Sequence, residues 1–299
     1  MLSILPLVLA LLQTPQVPPA PTSSYVPHRV FDTAVGTFID FESMVASLTA
    51  ADVVFVGEQH DDPNTHRLEL AILEGFRRRK VKPSLSLEMF ERDAQVALRD
   101  YLEGRTGEDE MLKAARPWPR YATDYRPMVE LAREEKWWVI AANVPRRIAS
   151  LVAKTGNDAL ADLTDSDRGL VARELQCPLD SYFDRFAATM SDHPGATQTP
   201  EQLRATTERY YWSQCVKDET MADSIVANYS ARFKDSGPIV HYNGSFHSDF
   251  GLGTAERTMR RLPGKRVVVV SILPVGELDG LSPTGEDLKR AQFLVYTVK

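Results

Sequence analysis

The stretch Val53-Val54-Phe55-Val56-Gly57-Glu58-Gln59-His60-Asp61-Asp62-Pro63 constrains the fold more than any other part of the chain. Four consecutive apolar residues, mostly β-branched, predict a strand buried on both faces, and such strands belong to parallel sheets covered by helices on each side. Gly57 predicts a sharp exit from the sheet, and Asp62 before Pro63 predicts a helix N-cap with proline in the first turn. Strand, polar turn and helix make half a βαβ unit. Glu58 and His60 therefore stand at the carboxyl end of a strand, where open α/β sheets receive ligands.

The pattern recurs. Helical spacing over residues 64–80 puts Leu68, Ile72, Leu73 and Phe76 on one face, and residues 84–87 form a second strand ending at Glu88-Met89-Phe90. Helices over 93–103, 108–115 and 127–136, with an irregular loop at 117–121, lead to a third strand at 137–142 that ends at Asn143. Before these come a hairpin or edge strand over 29–40 and a helix over 41–50. From 156 to 236 no strand pattern appears; this is a helical insertion, with a helix over 207–229. The sheet resumes at 238–242, followed by Asn243-Gly244-Ser245-Phe246-His247, and continues with strands at 266–272 and 293–298. The expected fold is α/β, a mostly parallel sheet flanked by helices, spanning residues 25–299.

A formal net charge of −6 over 299 residues excludes a nucleic-acid binder, which needs a basic face to neutralise phosphates. The basic run Arg77-Arg78-Arg79-Lys80 fits a helix C-terminus. The apolar stretch from Leu2 to Leu12 falls short of the roughly twenty residues that span a bilayer. With the proline-rich segment behind it, residues 1–24 are expected to be a signal peptide and linker. The mature chain is then exported, periplasmic or in the cell envelope, with no transmembrane segment and no nearby cysteine for a lipid anchor. Cys177 and Cys215 are the two cysteines; a disulfide and two buried thiols both remain open.

Since parallel strands point the same way, Glu58, His60, Glu88, Asn143 and His247 should converge on one crevice. Two turns are built alike, Gly57-Glu58-Gln59-His60 and Gly244-Ser245-Phe246-His247, each a Gly-x-x-His after an apolar strand. Two imidazoles and two carboxylates can hold Zn²⁺ or another divalent metal. Without metal, a His held by a Glu can act as general base on water while the second Glu serves as acid or orienter. His66, in the first turn of a helix, is expected to have its pKa lowered by the helix dipole and either to support the site as a neutral imidazole or to face solvent. His241 is expected to be a packed core residue, and His28 and His193 fall in a linker and a loop. No Gly-x-Ser-x-Gly elbow occurs, and Gly251-Leu252-Gly253-Thr254 lacks the third glycine of a dinucleotide site.

Gly57-Glu58-Gln59-His60-Asp61-Asp62, Leu87-Glu88-Met89-Phe90, Tyr125-Arg126-Pro127, Ala141-Ala142-Asn143-Val144-Pro145-Arg146 and Asn243-Gly244-Ser245-Phe246-His247 together resemble the ChaN-like haem-binding uptake family of the Tiki superfamily. The resemblance covers nearly the whole mature chain. It implies a bacterial cell-envelope protein of haem or iron acquisition that binds haem at its surface, between two copies in a homodimer. Tyr182, Tyr210 and Tyr211 in the insertion are candidate anionic haem ligands. The related TraB/Tiki and erythromycin-esterase branches imply an alternative: a hydrolase acting on esters or peptides, with Glu58, His60, Glu88 and His247 as catalytic or metal-ligating residues. The family's lipidation cysteine is missing here, which bears on membrane anchoring.

Overall fold

The computed structural model describes residues 25–191, 199–232 and 236–299. The expected signal peptide and His193 lie outside these residues. The chain opens with an antiparallel hairpin, β1 (His28–Asp32) and β2 (Thr37–Ile39), then α1 (Phe41–Leu48) and β3 (Val53–Glu58). Next come α2 (Pro63–Arg78), β4 (Ser84–Glu91), α3 (Gln95–Leu102), α4 (Glu108–Ala115), α5 (Arg126–Glu135) and β5 (Val139–Asn143). The insertion contributes α6 (Arg146–Thr155), α7 (Asp165–Arg168), α8 (Ser181–Ser191) and α9 (Pro200–Ala231). Then follow β6 (Ile239–Gly244), α10 (Gly253–Arg261), β7 (Val267–Val275), α11 (Asp287–Arg290) and β8 (Phe293–Val298).

The eight strands form one sheet in the order β2-β1-β8-β7-β3-β6-β4-β5. From β8 to β5 every neighbouring pair is parallel, and the β1–β2 hairpin joins antiparallel at the β8 side. The apolar run at residues 53–56 is wholly buried, and its residues alternate between two cores. Val54 and Val56 pack with Leu68, Ile72 and Phe76 of α2, while Val53 and Phe55 pack with Met221 and Ile225 of α9. Helices on both faces thus explain why the strand is apolar on both. Each of these fully buried side chains contributes on the order of 1.5–3 kcal/mol of transfer free energy.

Two local expectations meet different outcomes. The start of α2 is as expected: the Asp62 carboxylate accepts the Thr65 N–H at 2.8 Å, and Pro63 occupies the first turn. Gly57 differs. It stays inside β3, paired with Asn243 and Ser271, and makes no turn. A Cβ there would lie 3.0 Å from the Ser245 Cα, so glycine is needed to let the turn after β6 close over β3.

The insertion is woven into the body. Its long helix α9 packs on β5, α6 and α10 and forms much of the sheet's second layer. Cys177 and Cys215 are bonded, with Cα atoms 5.7 Å apart and a separation of 38 in sequence. A loop of that length corresponds to about 4 kcal/mol in the chain-entropy model. Polar residues of α9 are buried as well. Fully buried Glu219 accepts from Arg260 at 2.8 Å and pairs with Arg257 and Arg261, so that burying the carboxylate leaves no unpaired charge.

Candidate functional site

Strand order builds the site. Because β6 lies between β3 and β4, Gly244 sits directly opposite Glu58 and the following turn carries His247 up against Glu88. Glu58, His60, Glu88, Gly244 and His247 line one pocket of about 410 Å³. Trp118, Phe186, Met190 and Phe246 supply its apolar walls, and Gln214 and Lys217 reach in from α9.

The two Gly-x-x-His turns are held differently. On the first, the His60 Nδ1 bonds to Glu58 Oε1, which also accepts the Tyr125 hydroxyl at 2.9 Å. Its side chain is 45% exposed. The ring stands edge-on to Trp118 at a centroid distance of 4.9 Å, and its Nε2 lies where a Cβ on Gly244 would come within 2.7 Å. Gly244 is therefore required by the close approach of His60. On the second turn, the His247 Nδ1 pairs with Asp218 Oδ1 at 2.6 Å and its Nε2 faces Glu88 Oε1 at 3.3 Å. The other Glu88 oxygen accepts the Gly244 N–H at 2.8 Å. Asp218 also accepts Thr254 and Tyr182 hydroxyls, each at 2.8 Å.

Burial alone would neutralise these groups, but their partners outweigh it. Burial pushes Glu58 up, yet hydrogen bonds from His60 and His66 bring it down to about 2. Glu88 is held far below the carboxylate range by the His247 charge despite complete burial. His247, which burial would lower, is pushed up to about 10 by Glu88 and Asp218. His60 is also raised, chiefly against its burial by the Glu58 hydrogen bond.

His66 corrects the expectation drawn from the helix dipole. It is buried, and its Nδ1 lies 3.0 Å from Glu69 Oε2 and 3.4 Å from Glu58 Oε2. Burial lowers its pKa, but these two carboxylates raise it to about 11. Formal charges a few ångströms away outweigh the partial charge of a helix end. Glu69 is pushed well up by burial and by the Glu58 charge.

Other candidates take structural places. Asn143 donates to the Glu88 carbonyl at 3.1 Å and does not line the pocket. His241 is fully buried and bonded to Ser86 at 2.9 Å, and burial lowers its pKa to about 3. Tyr182 and Tyr211 are buried, with hydroxyls committed to Asp218 and to the Pro178 carbonyl at 2.8 and 2.7 Å. Burial and nearby Asp218 or Asp180 raise both phenols, Tyr211 to about 12. Tyr210 is exposed. Sequence reasoning missed Asp218, Glu69, Lys217 and Trp118. Asp218 sits in a helix with no visible periodicity to mark its buried face, whereas Tyr125 lay within one of the five motifs.

Comparison with known proteins places the chain. The sequence model for haem-binding uptake proteins of ChaN type, in the Tiki superfamily, matches residues 44–258. The chain belongs to that family. Its fold is that of ChaN of Campylobacter jejuni, a structure of cofacial haem binding, at 19% identity and a TM-score of 0.67, over 91% of this chain and 97% of that one. An erythromycin esterase, EreC, in its open conformation is a more distant likeness, at 13% identity and a TM-score of 0.47, over 91% of this chain and 83% of that one. No curated protein matches the chain. Among the described residues, no helix of this ChaN-family protein is long and apolar enough to cross a membrane.

Proposed function

We propose that this protein binds haem in the pocket at the carboxyl ends of β3, β4 and β6, and that it serves haem or iron acquisition outside the cytoplasm. The observation that carries the reading is His60, a half-exposed imidazole held at Nδ1 by Glu58 beside the apolar wall of Trp118, Phe186, Met190 and Phe246. Haem needs an axial donor and apolar surface for the porphyrin, and this donor set fits. A carboxylate on the far nitrogen strengthens an imidazole as an iron donor. Tyr210 is the exposed phenol of the three tyrosines and stands on one helical stripe with Gln214 and Lys217, which makes it the second donor in this reading. Lys217 suits a propionate. The Cys177–Cys215 bond supports an oxidising compartment, in line with a signal peptide over residues 1–24 and a periplasmic or cell-envelope location. Cofacial haem binding, described for ChaN of Campylobacter jejuni, extends here to a homodimer in which a second copy covers the exposed haem face.

Haemin titration tests the proposal. A Soret shift that saturates near stoichiometry is expected, and an unchanged spectrum at micromolar haemin rules it out.

The carboxylates on both imidazoles favour a second reading, hydrolysis of an ester or peptide. Neutral His60 would take a proton from water while Glu58 orients its ring, and the charged His247 would keep Glu88 ionised beside it. Zn²⁺ or another divalent metal on Glu58, His60, Glu88 and His247 is the metal-dependent form of this reading. Turnover that persists unchanged in His60→Ala ends it.

A further inference from the structure

Behind the pocket, Glu58, His66 and Glu69 offer ligand atoms that all lie within 4.8 Å of one another, and all three residues are buried. We propose that this triple binds a divalent first-row cation of the Zn²⁺ class, in a closed site that shares Glu58 with the pocket but is separate from it.

The direction of the His66 ring is the first support. Its Nε2 lies 3.1 Å from the His60 carbonyl and 3.4 Å from Asp124 Oδ2. A carbonyl can only accept, so Nε2 carries a proton. Nδ1 then faces two carboxylates, and either a proton or a metal ion stands between them. Metal-bound histidines are oriented in this way, with the free ring nitrogen donating to a carbonyl or carboxylate.

The second support is a set of unpartnered atoms. Glu69 Oε1 is buried and accepts no hydrogen bond, and buried Glu58 Oε2 has only the long contact to His66. Glu58 Oε2 is aimed into the triple, 3.4 Å from Nδ1, and Glu69 Oε2 is 3.0 Å from it. Ligands of a tetrahedral zinc are about 3.3 Å apart, given bonds of about 2.0–2.1 Å. Charge agrees. A divalent cation would balance both carboxylates around a neutral imidazole, in place of the two protons that Glu69 and His66 otherwise hold. Asp124 does not alter this balance, because Arg120 pairs with it at 2.6 Å. One imidazole and two carboxylates are borderline-to-hard donors, suited to Zn²⁺ or Mn²⁺.

The test uses the full haem-free chain, dialysed against Zn²⁺ and then against metal-free buffer, with metal read by mass spectrometry. About one equivalent is expected to remain, and Glu69→Gln should lower it at least tenfold while circular dichroism shows the chain folded. Co²⁺ loaded into the unmodified protein should give the intense visible bands of a four-coordinate N/O site. Background zinc together with a featureless cobalt spectrum would mean a shared proton only, and would overturn the site. Zinc retained in Glu69→Gln but lost in His60→Ala would move the ion into the pocket, which also overturns it. Haem binding is read separately, in the Soret band, so that either proposal can fail alone.

Discussion

His60 and His247 occupy the same place in two turns of the same pattern, yet their surroundings are opposite. His60 has one carboxylate partner and a side chain that is 45% exposed, whereas His247 is clamped between Asp218 and Glu88 and is 7% exposed. An imidazole with one occupied nitrogen and an open face can serve a ligand. One with both nitrogens on buried carboxylates is a structural cation that keeps Glu88 ionised. Spacing along the chain sets where each histidine stands; the elements packed above it set what it can do.

The sharpest way to break the comparison is to remove the clamp. Asp218→Ala leaves a buried imidazolium with one partner and two hydroxyls without acceptors, so a loss of about 3–5 kcal/mol is expected in urea unfolding. A loss below 1 kcal/mol would mean that His247 is not held as a charged group. Cutting the Cys177–Cys215 bond with Cys215→Ser loosens α9 only three positions from Asp218, and should cost about 2–4 kcal/mol. Equal melting temperatures with and without reductant in the unmodified protein would contradict that.

On the other turn the effect should fall on the ligand. His60→Ala is expected to weaken haem binding about 10–100-fold, or about 1.4–2.7 kcal/mol, with little change in stability since the ring is half-exposed. Unaltered haem affinity would shift the donor role to Tyr210. The smallest effect is a pH dependence. His247 binds its proton with a pKa of about 10 in the folded chain against 6.5 for a histidine in the unfolded chain, so its contribution is complete below about pH 6.5 and is lost as the pH rises through about 10. Stability should decline over that window and decline less in Asp218→Ala. His60, screened by solvent, should add little to the slope.

Much of this arrangement was legible beforehand. The buried run at Val53–Glu58, the Asp62-Pro63 helix start and the polar strand ends follow from periodicity and capping, which act over a few residues. Glu58, His60, Glu88 and His247 were placed together because parallel strands share a direction. Asn143 belongs to the same strand-end series but turns to the Glu88 carbonyl, a choice that one neighbouring backbone group decides.

By itself, then, the sequence determined the α/β class, the family and the four residues at the strand ends, since all of these rest on local patterns. Only the tertiary structure decided that β6 runs between β3 and β4, that α9 covers the sheet with Asp218 beneath it, and that His66 is held by carboxylates. Strand order and charge pairing join residues far apart in the chain. They depend on which surfaces lose least by being buried together, and no short stretch of sequence records that balance.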